Sequence, residues 1–129
     1  MSVWSAGENL ATARGSLAGC GVQTASLSFG GQISTSPPSA SVVTEEYDGT
    51  SWSSGGNLAA PKRLLAGCGT QIAGLSFGGV ADGGNLDTTE EYDGTSWSSG
   101  GNLAAPVRSL AGCGTQIAGL SFEIGRAHV

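Results

Sequence analysis

Histidine is nearly absent from this chain: the 129 residues contain one, His128. Histidine is the side chain most used for proton transfer and metal ligation near neutral pH. A Ser-His-Asp arrangement therefore has nothing to be built from in the body of the sequence. Charge is scarce too, at 12% of residues, and the balance is acidic, with a net charge of −5. That argues against nucleic acid or an anionic membrane as a partner. No apolar run is long enough to span a bilayer as a helix. The opening "MSVWSAGENL" lacks the basic and apolar regions of a signal peptide. Cysteine is limited to Cys20, Cys68 and Cys113, an odd number, each within "AGCG". No Cys-x-x-Cys pair occurs, so neither a disulfide framework nor a zinc site is expected. The three thiols are expected to be free, buried and slow to react, at one small repeated position.

What the chain has is glycine, 23 residues of it, and repetition. Residues 44–77, "TEEYDGTSWSSGGNLAAPKRLLAGCGTQIAGLSF", return as residues 89–122 with two changes in 34 positions: Lys62 becomes Val107 and Leu64 becomes Ser109. The tryptophans Trp4, Trp52 and Trp97 are spaced by 48 and 45 residues, and every aromatic residue falls at a repeated position. Repeats of this length point to propeller blades or stacked arrays.

Within one unit, "LLAGCGT" and "QIAGLSF" are short, apolar on both faces and poor in helix formers, and they read as buried strands. "TEEYDGTSW" places Asp48-Gly49 between β-formers, which predicts a hairpin closed by a two-residue turn. "SGGNLAAP" reads as a loop. "GNLAAPKRLLAG" comes nearest to a helix, but Pro61 and the glycines interrupt it. The unit is thus expected to be four short antiparallel strands. The small residues of "LAGCG" suit an inner strand crowded by its neighbours, and the bulky Trp suits the outermost one. The expected fold class is all-β: an incomplete β-propeller of four-stranded antiparallel blades, two full and partial at each end. The boundaries that follow are 1–13 for the outer strand of a preceding blade with a linker, 14–58 for blade one, 59–103 for blade two and 104–122 for the inner half of blade three. Closed propellers use roughly four to eight blades, so this length is expected not to close on itself.

These residues resemble kelch repeats. The kelch pattern has a strand ending in a double glycine, then a Tyr, then a Trp, then Pro-x-Arg. Gly30-Gly31 and Gly78-Gly79 match the first element, Tyr47 and Tyr92 the second, Trp52 and Trp97 the third. Pro61 with Arg63, and Pro106 with Arg108, match the last. The resemblance covers residues 4–122. It departs in the Tyr-to-Trp spacing, which is only five residues here and implies a tighter outer hairpin. The style of the repeat is also similar to near-identical kelch-like arrays encoded by phages, in proteins attributed to tails or virion surfaces. The resemblance thus implies a non-enzymatic binding or structural module with a virion or extracellular setting. A non-catalytic propeller of a secreted carbohydrate-active enzyme is the alternative.

The chain ends "GLSFEIGRAHV", where the earlier copy reads "GLSFGGVADGG". Residues 123–129, "EIGRAHV", resemble the in-frame translation of a short-read sequencing adapter, stop codon included. The expectation is that copy three is cut by the end of a DNA fragment, and that Glu123, Arg126 and His128 do not belong to the natural protein.

Several residue types invite a reading as sites. Some kelch-like propellers are copper radical oxidases, which need His ligands that this chain does not offer. Glu45-Glu46 and Glu90-Glu91 are paired carboxylates, but they recur in each unit, where a glycosidase pair is unique in its fold. They read as a solvated strand edge that resists edge pairing. Asp48 and Asp93 read as turn residues rather than calcium ligands. Arg63 and Arg108 are expected to pair with carboxylates or carbonyls of the repeat. No cofactor and no metal is expected. The informative contrast is a variable loop on a constant framework: "QISTSPPSASVV" after Gly31 against "VADGGNLDT" after Gly79, the first three residues longer. Loops on a rigid scaffold carry function. Gln32, Ser34, Ser36, Ser39, Asp82, Asn85 and Asp87 are the candidate binding residues, for a protein or glycan surface. Further blades of the same protein, or self-association through blade faces, are the other expected partners.

Overall fold

The computed structural model describes residues 5–123. Trp4 and the tail beyond Glu123, with its Arg126 and His128, lie outside the described residues. The chain is all-β, with no helix among the described residues. β1 (Ala18–Val22), β2 (Ala25–Phe29), β3 (Thr44–Tyr47) and β4 (Trp52–Ser54) form a four-stranded antiparallel sheet in sequence order. β5 (Ala66–Thr70), β6 (Ala73–Phe77), β9 (Thr89–Tyr92) and β10 (Trp97–Ser99) form a second sheet of the same plan. Between β6 and β9 lies a small hairpin of β7 (Val80–Ala81) and β8 (Gly84–Asn85). β11 (Leu110–Thr115) and β12 (Ala118–Glu123) form a two-stranded third sheet.

Register repeats as the sequence does. Cys20 faces Leu27, Cys68 faces Leu75 and Cys113 faces Leu120 across the first hairpin of each sheet. Directly opposed residues share a face of the sheet, so each Cys–Leu pair and each Ala–Phe pair beside it presents one apolar face. That face packs on the next sheet. Tyr92 and Trp97 of the second sheet close on Phe29 and Leu27 of the first, around Leu58 and Leu65. Phe29 meets Trp97 edge to face, with centroids 5.0 Å apart. Phe77, Ala66 and Cys68 form the second core cluster, flanked by Leu103 and Leu110.

The double glycines do specific work. Gly30 and Gly31 have φ of 71° and 108°, and Gly78 and Gly79 have 68° and 101°. These are left-handed values that glycine adopts freely. A Cβ at Gly30 would lie 2.8 Å from the Lys62 carbonyl, so the turn also leaves room for the segment entering the next sheet. Gly31 N–H donates to that carbonyl at 2.9 Å, and Gly79 N–H to that of Val107 at 2.7 Å.

Three expectations are corrected. The Asp48-Gly49 hairpin is not closed by a two-residue turn: Tyr47 pairs with Trp52, leaving four residues between them. Asp48 explains the length, because its Oδ1 accepts from Thr50 N–H at 2.8 Å and Ser51 N–H at 2.9 Å. Asp93 does the same for Thr95 and Ser96. Those backbone bonds lower the pKa of both aspartates. Nor are all three cysteines buried. Cys68 is buried, Cys20 is half-exposed and Cys113 is exposed. Each is covered by the following sheet, and β11–β12 has none among the described residues. The glutamates are not a solvated edge either. Glu45 and Glu90 are 2% and 3% exposed, because β3 and β9 are interior strands.

Candidate functional site

Strand direction divides each sheet into two ends. One end carries the tight turns at 23–24, 48–51, 71–72, 93–96 and 116–117. The other carries the variable loops 30–43 and 78–88 together with the connections into the next sheet. The variable loops therefore stand on one rim, side by side.

What holds that rim is a buried ion pair under each loop. The Arg14 side chain is fully enclosed and lies 3.3 Å from Glu45. It also donates to the carbonyls of Gly30 (2.7 Å) and Val43 (3.0 Å) and to Ser28 Oγ (2.7 Å). One guanidinium thus pins both ends of loop 30–43. Burial lowers its pKa, and the Glu45 charge works in the opposite direction. Lys62 takes the equivalent place in the second sheet, 2.5 Å from Glu90 Oε2, with Ala59 N–H donating to Glu90 Oε1 at 2.7 Å. An ammonium has no fork to spread over several acceptors, and Ser76 Oγ, the counterpart of Ser28 Oγ, is left buried without a partner. The expected cations were Arg63 and Arg108. Among the described residues the ion-paired ones are Arg14 and Lys62, one repeat position earlier, where the chain turns inward rather than out.

The first loop spends much of its polarity on itself. Gln32 Nε2 donates to the Ser34 carbonyl at 2.8 Å, Ser34 Oγ to the Ser36 carbonyl at 2.8 Å, and Ile33 N–H to the Ser39 carbonyl at 2.9 Å. Ser39 is buried; Ser34 and Ser36 are exposed and Gln32 is half-buried. In the second loop Asp82 and Asn85 are exposed at the β7–β8 hairpin, and Asp87 is half-buried, its carbonyl accepting from Leu103 N–H at 2.7 Å.

Between the loops is a cleft of about 280 Å³, lined by Pro38, Ala40, Pro61, Ala81, Asp82 and Gly83. It brings together the two segments that differ between the copies. Of the residues expected from sequence, only Asp82 lies on its wall. Pro38, Ala40, Pro61 and Ala81 were not expected there. No signal in a single stretch marks them, because they come from three separate segments: the first variable loop, the connection into the second sheet and the β7–β8 hairpin. The cleft has apolar walls and one carboxylate, a combination that suits a ligand with a flat C–H face and a hydroxyl to donate.

Of the repeated aromatic positions, Tyr47 and Trp52 lie 4.9 Å apart, as do Tyr92 and Trp97. Trp97 Nε1 donates to Thr44 Oγ1 of the first sheet and Trp52 Nε1 to the Glu8 carbonyl, each at 3.0 Å. Tyr92 donates its hydroxyl proton to Glu46, and burial followed by that bond pushes its pKa up to about 12. Tyr92 and Trp97 thus join the second sheet to the first, whereas Tyr47 and Trp52 are half-buried beside the segment that precedes the first sheet. Among the described residues, no three His, Cys, Asp or Glu side chains gather as metal ligands would. No protein-family model and no curated protein matches this chain.

Proposed function

We propose that the chain is part of a kelch-like β-propeller: a non-enzymatic scaffold that displays variable loops from one rim, in a virion or tail protein of a phage. The observation that supports this reading most is the pairing of constancy and variation on a common geometry. Two sheets of identical strand order and register carry loops of different length and sequence, and those loops face each other across the Pro38–Asp82 cleft. The glycine-rich inner strands, the double-glycine turns and the Tyr–Trp hairpins fit the kelch pattern in order. The ligand in this reading is a surface glycan: aliphatic and proline walls take the sugar's C–H face, and Asp82 accepts from its hydroxyls. A printed glycan panel probed with the intact chain tests this. Binding that weakens on Asp82→Ala, and moves when residues 80–88 are replaced by the sequence of 32–43, supports the reading. Binding indifferent to both changes, with the fold retained by circular dichroism, overturns it.

A further inference from the structure

Asp-Gly occurs three times in this chain, at Asp48-Gly49, Asp82-Gly83 and Asp93-Gly94. The pair has a chemistry of its own. The main-chain nitrogen after an aspartate can attack the aspartate Cγ and close a succinimide ring. Glycine favours the closure, because it puts no Cβ in the path of the attack and leaves the backbone free to reach it. One reaction is thus offered at three places, and the fold gives those places different surroundings.

Two of them are held. Asp48 Oδ1 accepts from Thr50 N–H at 2.8 Å and Ser51 N–H at 2.9 Å, and Asp93 Oδ1 accepts from Thr95 and Ser96 N–H at 2.8 Å each. Ring closure would have to break both bonds. The same bonds lower the pKa of both aspartates and keep them ionised, the form that a nitrogen attacks poorly. Each turn is closed a second time, by Asp48 N–H on the Ser51 carbonyl at 3.2 Å and Asp93 N–H on the Ser96 carbonyl at 3.1 Å. Their glycines are packed as well. A Cβ would lie 3.5 Å from Thr24 Cα at Gly49 and 3.4 Å from Ile72 Cγ2 at Gly94. Asp82-Gly83 has none of these restraints. It is the two-residue tip of the β7–β8 hairpin, between the paired Ala81 and Gly84, and both residues are exposed. Among the described residues, hydrogen bonds to an aspartate side chain are made at Asp48 and Asp93 and none at Asp82. Gly83 lies outside the left-handed region that Gly49 and Gly94 occupy at 98° and 97°, and nothing stands within 4 Å of a Cβ placed on it.

We infer that Asp82 is a site of spontaneous modification in the folded chain: the Gly83 nitrogen attacks Asp82 Cγ, and the product is an isoaspartate in the wall of the rim cleft. In the first step a bond forms between Gly83 N and Asp82 Cγ, and the carboxyl OH and the amide hydrogen leave as water. In the second, water adds to the main-chain carbonyl carbon of Asp82 and breaks its bond to Gly83 N. The main chain then runs through Cβ and Cγ, and a carboxylate stands on Cα. Addition of water at Cγ instead restores aspartate. Water is the only co-reactant. The hairpin tip gains one backbone atom, and the carboxylate of the cleft wall is displaced. The variable loop 78–88 therefore changes with age while the two framework hairpins do not. The inference stands on the surroundings of the three pairs and does not depend on the ligand proposed above.

Peptide mapping of the aged chain tests it. The intact chain is held for weeks at neutral pH and body temperature in water enriched in heavy oxygen, then digested. Electron-transfer fragmentation distinguishes isoaspartate from aspartate. Isoaspartate carrying heavy oxygen is expected at Asp82 several-fold above Asp48 and Asp93. In urea, where the turns are lost, the three sites are expected to draw level. Gly83→Ala, which the open space at Gly83 admits, is expected to suppress the reaction at Asp82 and leave the circular dichroism unchanged. Equal modification of the three sites in the folded chain overturns the inference. So does an Asp82 that stays unmodified in the folded chain while the urea-treated chain reacts, a difference between the sites that persists in urea, or a Gly83→Ala chain that reacts at the native rate.

Discussion

Lys62 and Arg14 do the same job with different reach. Arg14 satisfies two carbonyls, a hydroxyl and Glu45, whereas Lys62 bonds Glu90 alone and leaves Ser76 Oγ unpaired. Lys62→Arg is expected to restore the missing bonds and stabilise the chain by about 1 kcal/mol, the usual net worth of a hydrogen bond. Lys62→Met leaves Glu90 buried without a counter-charge and is expected to cost about 3–5 kcal/mol. Urea unfolding of the three chains measures both. The thiols are expected to label in the order Cys113, Cys20, Cys68, following their exposure, when the chain is dilute and undenatured. A different order in thiol-reagent kinetics contradicts the sheet order. Burial also pushes Cys20 up to about 12, with the charge of Cys68 adding to it. Cys20 and Tyr92 both sit above their ordinary values of 9.0 and 10.0. Their contributions to stability are therefore complete below those values and are lost as pH rises toward about 12. Thermal melts between pH 9 and 12 are expected to show this decline, and Tyr92→Phe to shrink its upper part.

At the level of strands, the repeat works because one residue of each inner strand has no side chain. Gly67 and Gly112 are the floor on which Phe29 and Phe77 lie. Gly67→Ala is expected to cost about 1–3 kcal/mol by overpacking. Phe29→Leu in the same chain recovers part of that loss, because the smaller side chain retreats from the new methyl. A double-mutant cycle by urea unfolding reads the coupling, and simple additivity contradicts the contact. Much of this element structure was legible in the sequence. "LAGCG" and "GLSF" announce strands through apolar residues and glycine without helix formers, and "TEEYDGTSW" announces a hairpin. The turn length was not legible, since it depends on the Asp48 carboxylate bonding two successive N–H groups. The burial of Glu45 was hidden for a different reason. Its partner, Arg14, lies 31 residues away in a copy whose wording differs there, "ARGSL" against "PKRLL".

Across the whole molecule, near-identical sequence does not give identical environment. Cys20, Cys68 and Cys113 share a motif and differ in burial according to which sheet covers them. Leu58 is buried while Leu103, its copy, is half-exposed. Pattern reasoning assigns one environment per repeated position, and position within the stack decides otherwise. The candidate cleft escaped the sequence for a related reason: it lies between two loops from different copies, so no single stretch contains it.

Successive sheets lock in one direction, Phe over Gly. Proton chemical shifts of the inner-strand glycines test it most directly, because an aromatic ring lying over a Cα displaces its protons upfield. In the dilute native chain, the Hα signals of Gly67 and Gly112 are expected far upfield, with cross-relaxation to the rings of Phe29 and Phe77 respectively. Gly19, which has no ring above it, is expected at an ordinary strand position. Three glycines with the same unshifted signals, or upfield shifts without contact to those two rings, would contradict the account.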